Sequence, residues 1–242
     1  MNRTLTRLGI SAAIALAAGL LLGAQEAPRE ASDMGLALLF EDDFEKGADR
    51  WEALGEKNEA WRVEATDKGK SYHQFKNHGK PLNKHRSPFN IALVRDLVLG
   101  DFVFEADVKS TKKDYPHRDV CFFFGYQDAD HFHYVHFGLK GDAVSNRIMI
   151  VDGAPRRNID TPIKDGTPWT NDWHHLKVVF EAQKKTVTVY FDDMTKPHMK
   201  AQNVKFDWGR IGVGSFDDTG MWDNIRIWGR RHPTTNTTAP AP

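Results

Sequence analysis

Hydrophobic and polar residues alternate along several stretches of the chain. In DFVFEADVKS, one set of alternating positions is apolar: Phe102, Phe104, Ala106 and Val108. KTVTVYFDD shows the same pattern, with Val187, Val189 and Phe191 on one side. Successive side chains of a β-strand point to opposite faces, so this alternation predicts strands that bury one face and expose the other.

Similar runs, rich in Val, Ile, Phe, Tyr and Trp, continue almost to the end of the chain, and short clusters of Gly, Asp, Asn and Pro separate them. This composition is typical of strands joined by tight turns. No amphipathic helical window of useful length follows the N-terminal region. About a dozen strands in roughly 200 residues predict one all-β domain, an antiparallel β-sandwich. We assign it to residues 36–229.

The two ends of the chain have a different pattern. MNRTLTR carries two arginines, the apolar run LGISAAIALAAGLLLGA follows, and charged residues begin at Glu26. This order is typical of a secretory signal peptide, which we place at residues 1–24, with an uncleaved membrane anchor as the alternative. We therefore expect a secreted or periplasmic protein with no further membrane contact. The Pro/Thr-rich residues 230–242 predict a disordered tail.

Charge and cysteine content narrow the possible functions. The 33 Lys and Arg residues balance 33 Asp and Glu residues, so no overall basic field favours nucleic acid as a partner. The single cysteine, Cys121, excludes an internal disulfide. Because its neighbours in the sequence are apolar, we interpret Cys121 as a buried structural thiol.

Several segments resemble the concanavalin A-like lectin/glucanase superfamily. WHHLKVVFEAQKKTVTVYFDD is similar to a strand–turn–strand unit of laminin-G-like jelly rolls, and FFFGYQDADHFHYVHFG is similar to their central hairpin. FEDDFEKGADRWE and IGVGSFDDTGMWDNIRIWG resemble their first and last strands. The superfamily includes family 16 glycoside hydrolases, polysaccharide lyases and 3-keto-disaccharide hydrolase domains. The resemblance implies a concanavalin A-like jelly roll with a carbohydrate-sized groove on its concave sheet, and it leaves the activity open.

The catalytic strand of family 16 hydrolases is incomplete in this chain. Those enzymes carry E-x-D-x-x-E or E-x-D-x-E, whose outer glutamates act as nucleophile and acid/base. Here Glu105 and Asp107 have the right alternation, but Lys109 and Ser110 stand where the third carboxylate belongs. A retaining hydrolase mechanism is therefore not supported.

A Tyr/His pair provides the candidate catalytic groups. In DADHFHYVHFG, strand alternation places Tyr134 and His136 on one face. A β-eliminating lyase needs a base, an acid and a donor that stabilises the carboxylate-enolate; Arg147 on the following strand is the candidate donor, with Asn146 and Arg118 as alternatives. The Gln-x-His strand of the lyase families is absent, so a sugar-lining or packing role for the pair stays open.

Arginine forks suit carboxylated or sulfated sugars, and aromatic rings stack on sugar rings. We expect Arg118, Asn146, Arg156 and Trp169 to be substrate-binding residues, with Trp169 of the loop TPWTNDW at the surface. Most of the other tryptophans are assigned to the core. The basic segment from Lys68 to Arg86 is interpreted as a long loop that either covers a sheet face or only connects strands.

Acidic residues near both ends of the domain predict a calcium site. Related jelly rolls often bind a structural calcium between their first and last strands, and the resemblance places Asp223 of WDNIRIW at that position, with Glu41 and Asp43 opposite. Hard oxygen ligands from distant segments suit Ca²⁺. Asp217 and Asp218, by contrast, are interpreted as turn residues.

The leading hypothesis is a protein that binds or processes a polysaccharide or oligosaccharide outside the cytoplasm, and we expect a monomer. One alternative is a glycosidic-bond-cleaving enzyme, either a lyase that uses Tyr134 and His136 or a hydrolase of the 3-keto-glycoside kind. The second alternative is a structural adhesion domain without a sugar site.

Overall fold

The computed structural model describes residues 30–55, 59–77, 79–161 and 165–233. The predicted signal peptide and most of the predicted tail lie outside these residues. Within them the chain forms antiparallel strands and no helix that is long and apolar enough to cross a membrane. The strands are β1 (Ala37–Asp42), β2 (Trp51–Ala53), β3 (Trp61–Thr66), β4 (Gly69–Gln74), β5 (Asn90–Ser110), β6 (Asp119–Asp128), β7 (His131–Gly138), β8 (Arg147–Asp152), β9 (Arg157–Asn158), β10 (His174–Glu181), β11 (Thr186–Phe191), β12 (Met199–Ala201), β13 (Gly209–Ser215) and β14 (Gly220–Arg231).

The long strand β5 is shared by the two layers of the sandwich. Its first half pairs with β2 and β13, and its second half pairs with β10 and β14. Layer A therefore runs β2–β5–β13–β6–β7–β8–β9, and layer B runs β12–β11–β10–β5–β14, with β1 and β4 both paired to β14 and β3 paired to β4. Asp96, with a φ of 54°, lies between the two halves of β5.

The main core lies between the layers. Phe104 in the second half of β5 and Phe122 of β6 have ring centroids 4.3 Å apart, although they belong to different layers. Phe180 of β10 likewise contacts Phe124 of β6 across the core, with centroids 5.5 Å apart. The alternation in these strands therefore directs one side of each into a shared aromatic core, and the predicted all-β jelly-roll sandwich is confirmed.

A second apolar cluster covers the outer face of layer A. Val135 and Phe137 of β7 belong to the main core, whereas Phe132 and Tyr134 belong to this outer cluster. Leu82, in the basic segment, packs against the outer cluster. The segment from Lys68 to Arg86 therefore does more than connect strands, because part of it covers this sheet face.

Three details differ from the pattern in the sequence. The runs NIALVRD and DFVFEADVKS form one strand, β5, because strand pairing continues on both sides of Asp96. The basic segment begins with strand β4, which pairs with β3 and β14. The last strand continues to Arg231, two residues past the expected domain end, because it pairs with β5 as far as Leu99.

Candidate functional site

Tyr134 and His136 lie on the outer face of layer A, and both are covered. Tyr134 is 0% exposed and His136 is 4% exposed, so neither ring is accessible to a substrate in this structure. The Tyr134 hydroxyl accepts a hydrogen bond from Arg156 Nη1 at 3.0 Å, and burial raises the pKa of this phenol. His136 Nδ1 donates to Val144 O at 2.8 Å. The strand alternation gave the correct face, but the lyase roles of this pair stay predictions that the burial does not favour.

Arg147 is held in a buried ion pair. Its Nε lies 2.8 Å from Asp160 Oδ1, its Nη2 donates to Asp160 O at 3.2 Å, and both residues are buried. The guanidinium is thus committed to fixing the segment after β9 against β8. The role of Arg147 as a donor to a substrate carboxylate stays a prediction, which this buried ion pair does not favour.

Arg118 and Asn146, expected to bind substrate, are also buried, and their substrate-binding role stays a prediction. Arg118 is fully buried and donates to Ser110 Oγ, Ser110 O and Thr170 O at 2.6–3.0 Å. Asn146 is fully buried with a φ of 54°; its amide group donates to Asp165 O and accepts from Thr167 Oγ1, both at 2.7 Å. Both side chains satisfy loop backbone groups that burial would otherwise leave unpaired, which is a structural use of polar side chains.

Trp169 is buried, so its expected surface position is wrong. Its indole Nε1 donates to Phe137 O at 2.8 Å, and its ring meets Phe191 edge-on with centroids 5.1 Å apart. The loop folds back over the core because the indole finds both an apolar contact and an acceptor there. Arg156 alone among the four substrate-binding candidates is partly exposed, and its guanidinium lies 4.0 Å from the ring centroid of Phe216.

The three predicted calcium ligands lie near one groove. Glu41 and Asp43 are exposed and line a cavity of about 530 Å³ that also includes Glu45 and Asn224. Asp223 is buried beside it, and burial, together with Asp107 and Asp43, raises the pKa of its carboxyl to about 6. The groups of ligand atoms that the described residues bring within 4.8 Å do not include these three, and the cavity also contains Lys46, Arg50 and Arg226, so calcium binding stays a prediction.

A second groove, at the end of the sandwich, was not predicted. A cavity of about 460 Å³ is lined by residues from the middle of β5, from β2, from the start of β13 and from the end of β14. Its charged residues are three arginines with two carboxylates: Arg95, Arg210, Arg231, Glu52 and Asp96. We call it the end groove.

The arginine side chains of the end groove are held in place by backbone carbonyl groups and by Glu52. Arg95 Nε donates to Trp51 O at 3.0 Å, and Arg231 Nη1 donates to Asp96 O at 3.0 Å. Arg210 Nη2 lies 2.6 Å from Glu52 Oε2, while its Nε is buried and has no partner among the described residues. Since each guanidinium carries five N–H donors, these anchors fix the groups and leave further donors for a ligand.

An exposed tryptophan borders the end groove. Trp208 is 36% exposed, and its ring stacks on His232, a lining residue, with centroids 4.8 Å apart and 13° between the planes. Among the described residues it is the one exposed tryptophan, and the sequence analysis did not single it out. Its polar setting, FDWGR just before a strand, was the signal that could have identified it.

Comparison with known proteins bears on the fold. No protein-family model matches the chain, and no curated protein matches it. Among solved structures, it is similar to carbohydrate-binding module CBM66 from Bacillus subtilis, with 18% identity, a TM-score of 0.53, and coverage of 74% of this chain and 96% of that one. It is similar to domain 4 of a GH43 extracellular arabinanase from Geobacillus stearothermophilus, in complex with arabinotriose (13%, TM-score 0.51, 82% and 95% covered).

Peanut lectin is a third structural neighbour, with 13% identity, a TM-score of 0.52, and coverage of 81% of this chain and 98% of the lectin. A plant lectin and two bacterial modules thus share one architecture with this chain over most of their lengths. The class defined by the structure is the concanavalin A-like jelly roll, as the sequence resemblance implied. At these identities the likeness extends to the fold alone.

Proposed function

We propose that the protein binds an acidic polysaccharide or oligosaccharide in the end groove. The observation that carries the proposal is the exposed ring of Trp208 beside three anchored arginines, Arg95, Arg210 and Arg231. Guanidinium groups bind carboxylates and sulfates through paired hydrogen bonds, and an aromatic face stacks on the apolar face of a sugar ring. The groove supplies the guanidinium groups, and Trp208 supplies the aromatic face at its border.

The charge distribution supports an acidic ligand. The whole chain has no formal net charge, whereas the end groove holds three arginines against Glu52 and Asp96. The positive charge is therefore local, and Glu52 already pairs with Arg210. Structural neighbours that are named as a carbohydrate-binding module and lectins add support for a sugar ligand.

The experiment is titration calorimetry of the purified protein with matched acidic and neutral polysaccharides. We expect binding to acidic chains, and a loss of affinity of about tenfold or more in Trp208→Ala and in Arg231→Gln. Val144→Ala and Arg157→Gln are the controls, because they remove an exposed apolar and an exposed cationic side chain outside the groove. Equal binding by all five proteins, or no binding to any glycan, would contradict the proposal.

The same incubations test the enzymatic alternative. A lyase would release products with an unsaturated uronide and new ultraviolet absorbance, and a hydrolase would release reducing ends. We expect neither signal, since Tyr134 and His136 are buried and the third carboxylate of the family 16 strand is missing. We also propose that residues 1–24 direct secretion of the protein and that Asp223 contributes to a calcium site.

A further inference from the structure

A compact set of metal-ligand side chains lies on the outer face of layer A, at the end opposite the β6–β7 turn. Asp119 and Cys121 lie two residues apart on β6, and His136 lies directly opposite Cys121 on β7. Each offers one ligand atom, and these atoms lie within 4.8 Å of one another. All three residues are buried: Asp119 and Cys121 are 0% exposed, and His136 is 4% exposed. Neither the carbohydrate proposal nor the predicted calcium site involves this set.

The hydrogen bond of His136 determines which nitrogen is free. Its Nδ1 lies 2.8 Å from Val144 O, and because a carbonyl only accepts, Nδ1 must carry the proton. Neutral His136 therefore directs the bare lone pair of Nε2 into the cluster. Metal-binding histidines show this arrangement, in which one ring nitrogen donates to a backbone carbonyl and the other binds the ion.

The free lone pair of His136 faces a second acceptor. Asp119 Oδ2 lies 3.2 Å from His136 Nε2, and this Nε2 makes no hydrogen bond with any described residue. Asp119 Oδ1 is likewise buried and unpartnered within the described chain. A buried acceptor without a donor is costly, and a cation bound by His136 Nε2 and the Asp119 carboxylate would satisfy the imidazole nitrogen.

The separations match a tetrahedral site. Metal–ligand distances of about 2.0–2.3 Å at tetrahedral angles place nitrogen, oxygen and sulfur ligand atoms about 3.3–3.6 Å apart. The observed separations are 3.2 Å between His136 Nε2 and Asp119 Oδ2, and 3.4 Å between Cys121 Sγ and Asp119 Oδ2. The side chains thus already have nearly the spacing that a bound ion would impose.

The turn between β13 and β14 completes the environment. Both oxygens of Asp218 accept hydrogen bonds, from Tyr115 Oη at 2.8 Å and from Asp119 N at 3.0 Å, so this residue holds Asp119 in position. Asp217 is only half-buried, and burial and the nearby Asp119 raise the pKa of its carboxyl. Ligand atoms of Asp217 and Asp119 lie within 4.8 Å of each other, so Asp217 is placed to supply a fourth, solvent-side ligand.

We propose that Asp119, Cys121 and His136 bind a divalent transition-metal ion of the Zn²⁺ type, with Asp217 or water as the fourth ligand. A thiolate and an imidazole select such an ion over Ca²⁺ and Mg²⁺, which take oxygen ligands. Because Cys121 would bind as a thiolate, metal binding releases its proton.

Cobalt substitution tests the site in the full-length protein after treatment with a chelator. The chain has one cysteine, so a thiolate-to-cobalt charge-transfer band in the near ultraviolet identifies Cys121 without any mutation. We expect the band to saturate at one equivalent of Co²⁺, Zn²⁺ to bleach it, and excess Mg²⁺ to leave it unchanged. Both Co²⁺ and Zn²⁺ should raise the unfolding midpoint by several degrees.

Variants then assign the remaining ligands. His136→Gln and Asp119→Asn should lose the band or weaken metal affinity at least tenfold, whereas His131→Gln, which removes an exposed imidazole on the same strand, should keep both. If a ligand variant does not fold, the wild-type band still decides the question. Cobalt absorbance without a thiolate band, or no binding and no thermal shift, would overturn the proposal.

Discussion

Trp208 stacks on His232 with ring planes 13° apart, and this contact joins the segment before β13 to the segment after β14. His232 N donates to Val98 O at 2.9 Å, and Gln127 Nε2 donates to Trp208 O at 3.2 Å, so both partners are also tied to neighbouring strands. The exposed indole is therefore presented on a fixed support beside the end groove. A preorganised aromatic surface binds a ligand with a smaller loss of side-chain entropy than a mobile one.

The first prediction concerns the salt dependence of glycan binding. Contacts between anchored guanidinium groups and sugar carboxylates or sulfates are partly exposed, so dissolved salt screens them. Raising sodium chloride from about 50 mM to about 500 mM should weaken binding of an acidic glycan by about tenfold or more. Fluorescence titration or calorimetry measures the change. Arg231→Gln should show a smaller salt dependence than the wild type, and an equal dependence would place the charged contacts elsewhere.

The second prediction concerns the core. Phe104 is fully buried and faces Phe122 across the two layers, so truncation leaves a cavity that neighbouring strands cannot easily close. Phe104→Ala should lower the free energy of unfolding by about 3–5 kcal/mol, measured by urea denaturation. Leu38→Ala removes an exposed leucine and should change it by less than about 0.5 kcal/mol. Similar losses in both variants would contradict the two-layer core.

Comparison of these residues shows what the sequence could predict. Period-two alternation placed Val135 and Phe137 in the main core and Tyr134 on the opposite face, because strand geometry is local. The same pattern could not show that Leu82 packs on the outer cluster or that Arg156 bonds to Tyr134, since those contacts join residues far apart in the chain. The face of a strand on which a side chain lies was thus predictable from the sequence, whereas its exposure to solvent was not.

The candidate sites illustrate the same limit. Arg95, Arg210 and Arg231 converge on the end groove from three distant segments, and nothing in their local sequence distinguishes them from other exposed arginines. Trp169 was expected at the surface and is buried, whereas Trp208 is exposed; both lie in polar loops, and only the fold decides which loop turns back over the core. The residue types indicated which side chains could bind a ligand, whereas their positions in the fold depended on contacts between distant segments.

The third prediction concerns calcium. Asp223 is buried near Asp43, and its raised pKa of about 6 reflects burial together with its acidic neighbours, a condition that bound Ca²⁺ would relieve. Millimolar calcium should therefore raise the unfolding midpoint by several degrees, and EDTA should remove the gain. Asp223→Asn should lose this response.

The control for calcium is Asp172→Asn, which removes an exposed carboxylate from a different loop. It should keep the full calcium response of the wild type. An unchanged midpoint of the wild-type protein in calcium and in EDTA would show that the acidic groove next to Asp223 does not bind the ion.

The last prediction concerns acid stability and rests on His133. Both ring nitrogens of this residue are buried and unpartnered among the described residues, and the ring stacks on Phe124 with centroids 5.0 Å apart. Burial lowers the pKa of His133 from 6.5 to about 3, so the unfolded chain binds a proton that the folded protein does not. Stability is therefore lost as the pH falls below about 6.5, by at most about 1.4 kcal/mol per pH unit.

Replacing His133 with phenylalanine removes this proton linkage while keeping an aromatic ring against Phe124. Between pH 7 and pH 5, wild type should lose up to about 2 kcal/mol of unfolding free energy relative to His133→Phe, measured by urea denaturation at each pH. Other titrating groups are common to both proteins and cancel in the difference. His131→Gln removes a more exposed imidazole and should retain the wild-type loss. Parallel pH profiles for wild type and His133→Phe would mean that His133 is protonated in the folded state, and that its ring reaches water or an acceptor that the buried position does not offer.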